Sequence, residues 1–183
     1  TFYGQSFARI SVCSNGWIAM GASPMVSFRN WAIPSAGSPD GMIAAFWDNL
    51  VQTSVENVYG WHDEAGGRFI IEWFQSRNPQ NGDSTFQIIL HDPATHPTAT
   101  GDGKILIQYL EVHNSDAQNG YATVGIQNLS GDDGLGYTYW NNYPAAASHL
   151  LDQRAILFLP EPEVLPTTCT ISPESWTLEM APG

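Results

Sequence analysis

Ala8-Arg9-Ile10-Ser11-Val12-Cys13-Ser14-Asn15-Gly16-Trp17-Ile18-Ala19-Met20-Gly21, followed after a Pro/Ser/Gly connection by Ile43-Ala44-Ala45-Phe46-Trp47-Asp48-Asn49-Leu50, decides the fold class. Two short apolar-alternating runs meet at Asn15-Gly16. This dipeptide tolerates positive φ at both centres of a tight turn, so the segment predicts a β-hairpin with a two-residue loop. Ile43 to Phe46 predicts a further short strand. Ala22 to Gly41 between them is too rich in Ser, Pro and Gly for a regular element and reads as a long surface connection anchored by Trp31.

The same period of two recurs downstream. Val55 to His62 and Arg68 to Phe74 flank Asp63-Glu64-Ala65-Gly66-Gly67 as a second hairpin, with Phe69, Ile71 and Trp73 on one face and Ile70 and Glu72 on the other. Ser84 to His91 alternates Phe86, Ile88 and Leu90 with Thr85, Gln87 and Ile89. Lys104 to Leu110, Tyr121 to Gln127, Gly134 to Tyr139 and Gln153 to Leu159 bring the count to about ten strands. Ala145 to Leu151 is the one helical candidate, worth a turn or two. Strands at such spacing without intervening helices predict an all-β, antiparallel β-sandwich.

Composition agrees. Charged residues are 13% of the 183 and aromatics 12%, with 17 Gly and 12 Pro, a balance suited to short strands and turns. A net charge of −12 with six Lys plus Arg excludes nucleic-acid binding and attraction to anionic membranes, because phosphates need clustered cations. No apolar run approaches the ~20 residues of a membrane helix, so no membrane insertion is expected. No leader stands before Thr1-Phe2-Tyr3-Gly4, and the chain reads as an interior piece of a longer protein.

Composition shifts at Pro160. The first domain is expected over residues 1–159, a Pro/Glu-rich linker over 160–168, and over 169–183 an isolated first strand of a further, truncated Ig-like module. Residues 170–180 would expose Trp176, Leu178 and Met180, and are expected to pair with a sheet edge. Cys13 and Cys169 permit one disulfide, but a buried free thiol at Cys13 is equally natural.

Candidate sites are few. Asp48 ends a strand, where a carboxylate can bind Ca²⁺ or accept backbone N–H groups in a turn; the turn is the favoured reading. Asp132 and Asp133 in Ser130-Gly131-Asp132-Asp133-Gly134 are the other candidate Ca²⁺ ligands, but lack the alternating oxygen ligands of an EF-hand, so a plain turn is favoured again. No other cofactor is implied. Histidines 62, 91, 96, 113 and 149 form no metal motif and read as loop residues. No GxSxG elbow exists, Cys13 has no activating neighbour, and Glu72, on the outer face of its strand, lacks a partner carboxylate for glycoside hydrolysis. No catalytic residue is assigned, and the chain reads as not an enzyme. Trp140-Asn141-Asn142-Tyr143 pairs two rings with two amides, residue types that stack on sugars and bond their hydroxyls, and is the candidate glycan site. Most other tryptophans are expected in the core.

Val12-Cys13-Ser14-Asn15-Gly16-Trp17-Ile18, Ile43 to Leu50, Phe69-Ile70-Ile71-Glu72-Trp73, Thr85 to Leu90, Lys104 to Tyr109, and Thr123 to Asn128 with Gly134-Leu135 follow in the order of a β-rich extracellular module. The set resembles the nidogen-like domain of large bacterial secreted or surface-attached multidomain proteins, over about residues 2 to 158. Cys13 stands where the family pattern has Ser, and Asn49 where it has a second Asp, which weakens a metal site there. The resemblance implies a noncatalytic secreted or cell-surface module, a spacer or adhesion domain whose partners are neighbouring domains of the same chain. The alternative is a carbohydrate-binding module serving a neighbouring hydrolase or peptidase.

Overall fold

The first hairpin forms, with three loop residues rather than two. Cys13 pairs with Trp17, and Ser14, Asn15 and Gly16 make the turn, in which only Gly16 takes positive φ, at 81°. This is the geometry of a three-residue loop closed by a left-handed glycine. Asn15 does other work: its Oδ1 accepts the Leu50 N–H at 3.1 Å, tying the turn to the end of the Ile43–Leu50 segment.

The computed structural model describes residues 1–51, 57–78, 80 and 82–160. The Ig-like strand, Cys169 with any bridge to it, the strand pairing through 170–180 and all of the linker beyond Pro160 lie outside the described residues. Among the described residues Cys13 is a buried thiol with no disulfide partner, and burial pushes its pKa up against opposing hydrogen bonds from Asn15. Ten strands are described: β1 (Ile10–Cys13), β2 (Trp17–Met20), β3 (Met42–Trp47), β4 (Val58–Asp63), β5 (Arg68–Asn78), β6 (Gly82–His91), β7 (Ile105–Glu111), β8 (Thr123–Gln127), β9 (Gly134–Thr138) and β10 (Arg154–Phe158). They form two antiparallel five-stranded sheets, β1-β2-β3-β8-β9 and β10-β7-β6-β5-β4. The helix considered over Ala145 to Leu151 is a single turn closed by Ala147 N–H on the Pro144 carbonyl, and the described helical residues are the 3₁₀ turn Ala117–Asn119.

The sheets enclose the core that the alternation predicts. Ile71, Trp73, Phe86, Ile88, Ile107 and Tyr109 of the second sheet face Ile18, Ile43, Phe46 and Val124 of the first. Trp73 stacks on Phe86 with centroids 5.2 Å apart, and its indole N–H crosses to the Cys13 carbonyl at 3.0 Å. Tyr109 donates its hydroxyl to the Ala45 carbonyl at 2.7 Å, a second link between sheets.

Alternation does not predict that the first sheet is buried on both faces. The long connection folds back as a strap over its outer face, where Cys13, Trp17, Ala19, Ile33, Met42, Ala44 and Trp47 form a second core. The Ser27 carbonyl accepts the indole N–H of both Trp47 (3.0 Å) and Trp17 (3.4 Å). The fully buried Gln127 amide accepts from Ser35 N–H and donates to the Ser35 and Pro39 carbonyls. These bonds satisfy strap backbone that would otherwise be stranded on an apolar surface. Trp31, the expected anchor, is instead 56% exposed, whereas Ile33 and Pro39 of the strap are buried.

Candidate functional site

Among the described residues the second sheet has no such cover. On its outer face the register brings Tyr59 (β4), Glu72 (β5), Gln87 (β6) and Gln108 (β7) into one row across four strands. The next row holds Trp61, Ile70, Ile89 and Leu106. Successive strands are about 4.8 Å apart, so the polar row runs about 14 Å. Gln108 Nε2 donates to Gln87 Oε1 at 2.7 Å, and Gln87 Nε2 donates to Glu72 Oε1 at 2.9 Å. Tyr59 is 44% and Trp61 61% exposed. With Ile70 and Ile89 as floor, these side chains line a shallow trough of about 320 Å³ that also reaches Arg68. Arg68 is engaged by Asp63 at 2.8 Å. Glu72 thus lies on the outer face, as its alternation predicts, and its described partner is an amide rather than an acid.

Trp140 to Tyr143 forms a tight turn. Trp140 and Asn141 both take positive φ (53° and 54°), and Asn142 N–H returns to the Tyr139 carbonyl at 2.9 Å. Trp140 is 53% exposed, lies edge-on to Tyr139 and packs over Gly120. The Tyr143 ring turns elsewhere, to His149 at 4.3 Å and Tyr137 at 6.0 Å, and its hydroxyl accepts the Leu150 N–H. The two rings of the sequence motif therefore keep different neighbours, while Asn141 and Asn142 point their exposed side chains to solvent.

Asp48 is buried at one end of the sandwich, where its carboxylate joins the sheets. Oδ1 accepts the Asn49 N–H and Oδ2 the side-chain amide of Asn78, at the end of β5, both at 2.7 Å. Burial pushes its pKa up to about 6; the Asn49 bond opposes this, Asp116 adds to it, and Asn78 opposes it. The unfolded chain releases this proton near 3.8, so between those values the folded form holds a proton that the unfolded form has lost. Stability from Asp48 is therefore greatest below about pH 4 and falls as pH rises through 6, by about 3 kcal/mol in all. Denaturant titrations between about pH 4 and 7 should show this slope in the native chain and a flatter one in Asp48→Asn; equal slopes would remove Asp48 as its source.

Asp132 and Asp133 sit in a closed turn. Asp132 Oδ1 accepts from Ser130 Oγ at 2.6 Å and from the Asn128 amide at 2.7 Å, which lower its pKa, and Asn128 Oδ1 accepts the backbone N–H of both aspartates. The structure does not bring Asp48 to this turn, and among the described residues no three His, Cys, Asp or Glu side chains group to hold a metal. His91 is not a loop residue: it ends β6, and its ring meets His96 edge-on at 4.7 Å. Burial, then the charges of His96, Arg68 and Lys104, lower its pKa.

Sequence reasoning singled out Glu72 alone from the sheet face. Tyr59 and Trp61 of β4, Gln87 of β6 and Gln108 of β7 meet only through register, although the alternating Tyr59-Gly60-Trp61 run marks one face of an edge strand.

The described residues form a two-sheet antiparallel β-sandwich, and among them no helix is long and apolar enough to cross a membrane. Residues 1–162 match the family model described as NIDO related, and the chain belongs to this nidogen-related family, whose domains are generally noncatalytic. No curated protein and no solved structure matched the chain.

Proposed function

We infer that this chain is a noncatalytic interaction module of a secreted or cell-surface multidomain protein, of the bacterial kind the sequence resemblance implies. The observation that carries this reading is the asymmetry of the sandwich. The strap covers the outer face of one sheet, while among the described residues the outer face of the other presents Tyr59 and Trp61 beside an ordered polar row. Exposed aromatic area rimmed by polar groups marks contact surfaces on soluble domains. An extracellular setting is supported by the family, and by an acidic composition that keeps such a surface soluble. Spacer and adhesion roles both fit the fold; the uncovered face favours adhesion.

Antibody raised against the chain should label intact cells of the producing organism or be retained by its culture medium. Labelling that requires permeabilised cells would reject the placement. Incubating the pure chain with peptide and glycan libraries should leave every substrate intact, and a product lost in Glu72→Gln would reject the noncatalytic assignment.

A further inference from the structure

We propose that the outer face of the second sheet binds a neutral oligosaccharide along the Glu72-Gln87-Gln108 row, with Tyr59 and Trp61 as stacking platforms. The proposal deepens the interaction-module reading and rests on it. The row is already ordered by its own hydrogen bonds, so little side-chain freedom remains to be lost on binding. Each bond in it uses one of the two N–H groups of an amide; the acceptor gives one of two carboxylate oxygens at Glu72 and one of two lone pairs of the single amide oxygen at Gln87. The second N–H of Gln87 and of Gln108, Gln108 Oε1 and Glu72 Oε2 therefore present both donors and acceptors along the row. Sugar hydroxyls, each both donor and acceptor, complement such a row at every position.

The aromatics supply the other half of the recognition. Tyr59 stands opposite Glu72 and Trp61 opposite Ile70, so both rings rise from the edge strand on the same face as the polar row. Aromatic rings on this edge offer apolar area to the C–H face of a pyranose while the row meets its hydroxyls. A length of about 14 Å suits a short oligosaccharide rather than a single sugar.

Charge selects among saccharides. Arg68, the cation that lines this trough, is held by Asp63, and Glu72 leaves an acceptor with negative charge at the end of the row beside Tyr59. In a chain of net charge −12 that combination repels sulfated, sialylated and uronic chains and admits neutral ones. A protein partner fits less well. Interface cores are depleted of charge, and covering this row with apolar side chains would strip water from Glu72 and both glutamines without replacing their hydrogen bonds.

The test is isothermal titration of the full chain with soluble neutral oligosaccharides (gluco-, xylo- and manno-oligomers and β-1,3-glucans), preceded by an array that includes sulfated and sialylated glycans. Saturable binding to a neutral oligomer is expected, weakened about tenfold or more in Trp61→Ala and in Gln87→Ala. Trp140→Ala should leave it unchanged. Trp61 is exposed, so its variant should keep the native melting temperature and near-ultraviolet spectrum. Binding restricted to anionic glycans, loss in Trp140→Ala but not in Trp61→Ala, or no glycan binding by a folded chain would each overturn the proposal. New reducing ends in the mixture would instead overturn the noncatalytic reading, leaving the location of the site standing.

Discussion

Gly16→Ala is expected to destabilise this module by about 3–5 kcal/mol, a large part of the 5–15 kcal/mol that holds a typical domain folded. Gly16 sits at φ 81°, where an L side chain is strained, and a Cβ there would overlap the carbonyl oxygen of Phe46 and press on Leu50. The backbone cannot retreat cheaply, because the Gly16 carbonyl accepts from both Ala45 N–H (3.1 Å) and Phe46 N–H (3.0 Å). Backbone strain of about 1–2 kcal/mol and the loss of two hydrogen bonds worth about 1 kcal/mol each account for most of the effect. Gly101 provides the control. It has nearly the same φ, 80°, with open space where a Cβ would go, so Gly101→Ala should cost only the strain, about 1–2 kcal/mol. Urea unfolding midpoints compare the two; equal shifts would show that the close approach of the turn to β3 contributes nothing.

Trp73→Ala is the second large effect, a loss of about 3–5 kcal/mol for truncating a fully buried aromatic side chain. Trp73 acts on both layers at once: its ring stacks on Phe86 within its own sheet, and its N–H reaches the Cys13 carbonyl in the other. Truncation would open a cavity between the sheets and remove the partner of that carbonyl. Trp73→Phe restores much of the volume but not the donor, and should cost less, about 1–2 kcal/mol. Denaturant titrations with an unchanged m-value would assign both losses to the native state. If the phenylalanine variant were as unstable as the alanine variant, the indole N–H rather than packing would dominate.

Much of this fold was legible because its signals are local. The alternation of Phe69, Ile71 and Trp73, or of Phe86, Ile88 and Leu90, directs every second side chain inward in any sandwich that contains it. It also placed Glu72 on the outer face, where the structure finds it. The hairpin at Gly16 was readable from Asn15-Gly16, but its third loop residue was not, because the docking of the turn onto β3 and Leu50 selects the longer loop. Trp31 misled for a related reason. A tryptophan in a Pro/Ser/Gly-rich stretch suggests an anchor, yet the strap is held by its backbone, through the Ser27, Ser35 and Pro39 carbonyls, and no side-chain pattern records which carbonyls will face a buried amide.

The candidate site divides along the same line. Trp140 to Tyr143 was visible because its rings and amides are contiguous, and the tight turn sends Trp140 over Gly120 and Tyr143 to His149. Tyr59, Glu72, Gln87 and Gln108 are scattered over fifty residues of sequence, and only strand pairing sets them side by side.

By itself, the amino-acid order determined that the chain is all-β, which side chains of each strand face inward, and that the first hairpin turns at a glycine, because a period of two and a left-handed turn are properties of neighbouring residues. The tertiary structure alone decided which sheet the strap covers and which side chains form the polar row on the other. Alternation tells each strand that its two faces differ, but what covers a face, and what stands beside a residue across the sheet, depends on pairings between segments far apart in the chain.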